Sequence, residues 1–276
     1  MESENHTMAA HYIYRYQAHQ IAYQRAGTPG ARPMLLVHGM GGNTASWNLL
    51  RRCLQSHFDL YLFDLPGHGH SQAQPDELSI EWYTRIIAGF VTEMELEAPI
   101  GVGHSMGGQI LLGAHLWQQV AFGGFALLAP AGIEAFTPSE ANTMLQGLEW
   151  LAQQNSESLQ QWMDQPHNSD GPDNPNGNQQ QILAQCVRSM LREPVHDRLK
   201  QVNVPSLLIF GQKDNLIPNR LLHWQLSVRE LAMQQGGKIP GASLRVLKDA
   251  GHFLHRTHPK TVVAQMQEQS WWPKRQ

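Results

Sequence analysis

The sequence is short of charge. Asp, Glu, Lys and Arg make up 16% of 276 residues, and the net charge at neutral pH is −3. With no surplus of Lys and Arg there is no basic stripe to neutralise a phosphate backbone, which argues against nucleic-acid binding. Cysteine is scarcer still. Cys53 and Cys186 lie far apart, in stretches with helical spacing; two thiols make no disulfide framework and suit a reducing interior. No run approaches the roughly 18 apolar residues that a membrane span needs. Met1 to Arg15 opens acidic and polar, with no basic stretch leading into an apolar one, so no secretory signal is expected and the expected location is the cytoplasm.

What is present is enough apolar residue, 41%, to bury a sizeable core in one domain. Tyr12 to Ala26 alternates loosely and breaks in the middle, which predicts an antiparallel strand pair at a sheet edge. Short apolar runs then recur at Met34–His38, Leu60–Phe63, Ile100–Val102, Gly124–Pro130, Val204–Gly211 and Leu244–Leu247. Such runs read as strands buried on both faces of a parallel sheet. Helical spacing lies between them, at Trp47–Leu54, Ser79–Leu96, Gln109–Val120, Pro218–Gln235 and Pro259–Trp271.

The strand and helix alternation predicts an α/β fold, a mostly parallel sheet with helices on both faces. It is interrupted between about Gly132 and Leu199. There Thr137-Pro-Ser-Glu140 matches a capping box, and Ile182, Leu183, Cys186, Val187, Met190 and Leu191 form an apolar stripe. Between these helices Asn168–Asn178 is dense in turn formers, which predicts a mobile loop.

Chemistry concentrates at Gly103-His-Ser-Met-Gly107. A strand running straight into G-x-S-x-G and then a helix is the context that makes Ser105 a candidate nucleophile on a tight, strained turn. A serine hydroxyl is a weak nucleophile, so it needs a base, a group to orient that base, and donors for the developing oxyanion.

Further stretches carry a resemblance to a known family. His38-Gly-Met-Gly-Gly42 looks like an HG-x-G oxyanion loop, and Asp64-Leu-Pro-Gly-His-Gly-His-Ser71 is similar to a D-x-x-G-x-G-x-S turn. Gly211-Gln-Lys-Asp214 and Asp249-Ala-Gly-His252 resemble acid and histidine segments. As a set these motifs resemble the α/β-hydrolase fold family from about Pro33 to the C-terminal helix, except in the insert. The resemblance implies a core of residues 1–130 and 200–276 with a small helical cap over 131–199, and a catalytic set of Ser105, Asp214 and His252. It also implies an oxyanion hole made by the backbone N–H groups of Met40 and Met106, and no cofactor.

Position supports the same triad independently. Asp214 and His252 each follow a strand at the carboxyl edge of the sheet, where open α/β sheets place their chemistry, and the order Ser, Asp, His fits. Asp64 and Asp249 read as loop-bracing residues, His38 as a packing and loop-bracing residue, and His104 as a packing or pocket-lining one. His68-Gly-His70 could share an ion, but the pattern places no third ligand, so no metal is expected.

The activity expected is hydrolysis of a small or medium carboxylic ester through an acyl-enzyme on Ser105, with the ester and water as its partners. Two alternatives stay open. One is hydrolysis of a C–C bond, for which Arg188 could recognise a carboxylated substrate; the other is a ligand receptor on the same scaffold with slow turnover.

Overall fold

The computed structural model describes residues 11–154, 179–217 and 225–274. β1 (His11–Tyr16) and β2 (His19–Gly27) form the expected antiparallel hairpin. Its turn is reached through Gln17 at φ +53. Tyr14 is buried while Tyr12 and Ile13 stand exposed at the sheet edge. β2 pairs antiparallel with β4 (Asp59–Phe63). The strands that follow in the sheet are parallel: β4 to β3 (Pro33–Val37), β5 (Ile100–His104), β6 (Gly124–Leu128), β7 (Ser206–Gly211) and β8 (Ser243–Leu247). The eight-stranded order is β1-β2-β4-β3-β5-β6-β7-β8.

Parallel neighbours need crossovers, and the crossovers cover both faces, so the inner strands are apolar at successive positions. Leu35 and Val37 face α2 (Ile80–Glu93) and α3 (Met106–Trp117), in one core with Ile86, Phe90, Ile110 and Leu111. Met34 and Leu36 face the opposite way. They share a second core with Leu50 and Leu54 of α1 (Asn48–Leu54) and with residues of a C-terminal helix given below. α2 starts where the Ser79 side chain accepts a hydrogen bond from Trp82 N (3.0 Å). Each large side chain that α2 buries against the sheet contributes about 1.5–3 kcal/mol, and Ile80, Tyr83, Ile86, Ile87 and Phe90 are all buried.

Between β6 and β7 the chain carries α4 (Pro138–Gln154) and α5 (Gln179–Arg192). The capping box is made: Thr137 Oγ1 accepts from Glu140 N (3.2 Å) and Glu140 Oε2 accepts from Thr137 N (2.7 Å). α5 buries Ile182, Leu183 and Cys186, and its final carbonyls are held from the core by Gln109, whose Nε2 donates to Met190 O and Glu193 O. Arg188 is half-buried rather than fully solvated. The expected loop Asn168–Asn178 lies outside the described residues.

Two helix expectations are corrected. The helix expected over Pro218–Gln235 does not run unbroken through its described part: residues 218–224 lie outside the described residues, the chain turns at 225–226, and α6 (Val228–Leu231) starts on a Ser227–Glu230 capping box. It runs into a π-helical turn over Ala232–Gly236. After α7 (Leu254–Thr257), α8 (Pro259–Gln267) ends short of Trp271. Val262 and Met266 of α8 complete the second core, and Trp271 is buried with its carbonyl accepting from Arg32 Nη1 (3.1 Å). Both cysteines are free. No helix among the described residues is long and apolar enough to cross a membrane.

Candidate active site

Ser105 sits between β5 and α3 with φ +50 and ψ −118, a backbone conformation costly for a residue with a Cβ. The surrounding structure imposes it. Ser105 N donates to Leu128 O (3.0 Å), and Ser105 O accepts from Gly108 N (2.9 Å) and Ala131 N (3.0 Å). The flanking glycines are needed for close approach. A Cβ on Gly103 would lie 2.6 Å from Gly108 Cα, and one on Gly107 would clash with Val37 O and lie 2.6 Å from His38 O. The turn therefore presses the serine's helix directly onto the end of β3.

The structure brings Asp214 and His252 together. Asp214 is fully buried; its Oδ1 accepts from Leu216 N (2.8 Å) and Ile217 N (3.0 Å), which fixes the carboxylate, and its Oδ2 accepts from His252 Nδ1 (2.8 Å). That bond holds the imidazole in the tautomer that leaves Nε2 unprotonated. The Ser105 hydroxyl makes no hydrogen bond to His252 among the described residues. Such bonds commonly tighten only when substrate binds.

The link between the serine and the histidine loop is His104, one residue before Ser105. Its Nε2–H donates to the backbone carbonyl of His252 (3.0 Å), and the two rings lie 4.7 Å apart. Burial pushes the His104 ring well below its ordinary pKa, and the nearby His255 and His252 add to the effect. It therefore stays a neutral donor. Nothing in the local sequence signals this bond, because it depends on where a loop 148 residues later comes to rest.

Met106 is buried at the first position of α3, and Met40 lies in the tight turn closed by Gly42 N to Gly39 O (3.0 Å). Neither Met40 N nor Met106 N donates to a backbone carbonyl among the described residues.

His38 and Asp64 have structural partners. His38 Nε2 accepts from Leu65 N (3.0 Å), so its Nδ1–H donates to Gly39 O (2.7 Å). Asp64 Oδ1 accepts from Thr44 N (2.7 Å) and Oδ2 from His70 N (2.9 Å). Ser71 Oγ–H donates to Asp64 O (2.6 Å) and accepts from Ala22 N (2.8 Å). The D-x-x-G-x-G-x-S turn thus ties β2 to the loop after β3. Asp249 makes an exposed pair with Lys213 Nζ (3.1 Å). His255 is a core residue, 2% exposed. His68 and His70 diverge: the first turns inward and donates to Pro66 O (3.1 Å), the second faces solvent over Asp64.

α5 approaches this site from the insert. Leu183 Cδ2 would be 3.7 Å from a Cβ on Gly41, and Ile182 would be 3.3 Å from one on Gly67. An apolar wall therefore stands beside the Met40 turn.

Known proteins share this fold. A model of the Alpha/beta hydrolase family matches residues 34–265. Among curated proteins the chain is similar to the uncharacterized hydrolase YugF of Bacillus subtilis, 22% identical over 88% of this chain and 91% of that protein. It is also similar to human monoacylglycerol lipase ABHD6, 24% identical over 93% of this chain and 80% of that one. The solved structure of a thermophilic esterase from Thermogutta terrifontis aligns with a TM-score of 0.73 at 21% identity, covering 94% of this chain and 97% of that chain. At that identity the likeness speaks for the fold. The family match begins in β3, takes in every parallel strand of the sheet and ends inside α8, and on that ground the chain belongs to the alpha/beta hydrolase family.

Proposed function

We infer that this chain hydrolyses small or medium carboxylic esters through an acyl-enzyme on Ser105. The observation that carries the reading is the 2.8 Å bond from His252 Nδ1 to the buried Asp214 carboxylate, beside a serine held at positive φ. Ser105 Oγ attacks the ester carbonyl as His252 Nε2 takes its proton. Asp214 stabilises the imidazolium, which then protonates the leaving alcohol, and water repeats the sequence on the acyl-enzyme. The N–H groups of Met40 and Met106 serve as oxyanion donors, each worth about 3–4 kcal/mol of barrier in such sites. The segment 131–199 acts as a cap, with Leu183 on the wall of an apolar acyl pocket. The name of the relative ABHD6, a monoacylglycerol lipase, supports an ester as the bond cleaved. Two free cysteines support a cytoplasmic location.

The test is a panel of p-nitrophenyl esters, thioesters and dienone C–C substrates, assayed with wild type, Ser105→Ala and Asp214→Asn. Fast ester turnover is expected, abolished in Ser105→Ala and lowered by about 10⁴ in Asp214→Asn with the fold intact. Ester turnover retained by Ser105→Ala would overturn the assignment; preference for the dienone would move it to C–C hydrolysis, and negligible turnover of every substrate to a receptor.

A further inference from the structure

The histidine pair that the sequence offered as a metal site is split, yet one of its members meets a different set of donors. His70, on the turn after β4, stands over the buried Asp64 with Nδ1 3.2 Å from Oδ2. His11, at the start of β1, lays its ring against that of His70, with centroids 4.0 Å apart. One ligand atom from each of His11, Asp64 and His70 lies within 4.8 Å of the other two.

We propose that His11, Asp64 and His70 bind a divalent first-row transition metal, zinc foremost, which clamps the edge strand β1 to the turn after β4. Ligands at 2.0–2.1 Å around a tetrahedral ion sit roughly 3.3 Å from one another. The Asp64–His70 pair already has that separation, so a rotation of the two exposed rings closes the third side. Two imidazoles and one carboxylate suit zinc, nickel or copper; calcium and magnesium require more oxygen donors than this site offers. His70 has only to move its ring proton from Nδ1 to Nε2, and the fourth position opens to water on the solvent side.

The supports around the ligands are in place. Thr44 N and His70 N fix the Asp64 carboxylate from within. Such outer contacts orient metal ligands. The three ligands come from three segments of chain, so the bound ion would act as a cross-link between them.

The experiment uses the whole chain, stripped with EDTA, in equilibrium dialysis against Zn2+ and in thermal scans. One zinc per chain is expected, with Tm raised by about 5 °C or more when free Zn2+ is a hundredfold above Kd, and no rise with Ca2+ or Mg2+. His11→Gln and His70→Gln should each weaken binding tenfold or more. Both side chains are exposed, and circular dichroism checks that each variant folds. No saturable site in wild type, or unchanged affinity in either folded variant, would overturn the proposal. Ester hydrolysis by the metal-free chain is read separately, so the clamp and the Ser105 chemistry stand or fall independently.

Discussion

Acid should unfold this protein through its buried histidines, and replacing His255 by Phe should flatten that dependence. His255 is 2% exposed, its ring packed 4.8 Å from Trp47 and 4.4 Å from His104, and its Nδ1 has no hydrogen-bond partner among the described residues. Burial pushes its pKa down to about 3, and the neighbouring Arg256, His252 and His38 add to the effect. His68, 6% exposed, is also pushed down to about 3, first by burial and then by His38, against the pull of Pro66 O and Asp64.

An unfolded histidine titrates near 6.5. Between about pH 3 and 6.5 the unfolded chain therefore binds more protons than the folded one, and stability falls as pH falls. The contribution is complete above the unfolded value and is lost on the way down to the folded one. Each such histidine supplies a slope of about 1.4 kcal/mol per pH unit, so the pair removes about 6 kcal/mol across two units, a large share of a typical 5–15 kcal/mol. Urea unfolding at half-unit steps from about pH 4 to 7 measures this. His255→Phe keeps a ring against Trp47 and removes one titration, so its slope should drop by about 1.4 kcal/mol per unit whatever its stability at neutral pH. Parallel curves for wild type and variant would refute a neutral, buried His255.

The elbow and the wall beside it make further predictions. Gly107→Ala drives a methyl into Val37 O and His38 O and should cost about 3 kcal/mol or more. Gly30→Ala, where φ is +80 but no atom lies within 4 Å, should cost only about 1–2 kcal/mol of backbone strain; equal melting temperatures for the two would refute the close approach. Leu183→Ala removes an apolar wall near Gly41 and should shift kcat/KM toward longer acyl chains by about tenfold. An unchanged profile across an ester series would place Leu183 outside the pocket.

Most of the sheet is legible in the sequence because both its faces are covered, which leaves short apolar runs such as Met34–Val37 with no other stable use. Ser105, Asp214 and His252 are legible as positions at strand ends. Other features depend on distant chain. The tie from His104 to His252 needs a fold before it has a partner, and His70 finds its neighbour in His11, 59 residues away, because His68 between them turns inward to Pro66 O. The misplaced helix start before β8 did carry a local signal: Ser227-Val-Arg-Glu230 is a capping box, and the apolar spacing running through it masked that start. Beyond the end of α8, Trp271 is tied to distant chain by Arg32, which donates to its carbonyl.

The backbone of Ser105 has an evolutionary consequence. Holding a side-chain-bearing residue at φ +50 costs on the order of 1–3 kcal/mol, a cost that glycine would not bear. Stability alone would thus favour glycine here, and on the proposed mechanism the hydroxyl of Ser105 is what that strain secures.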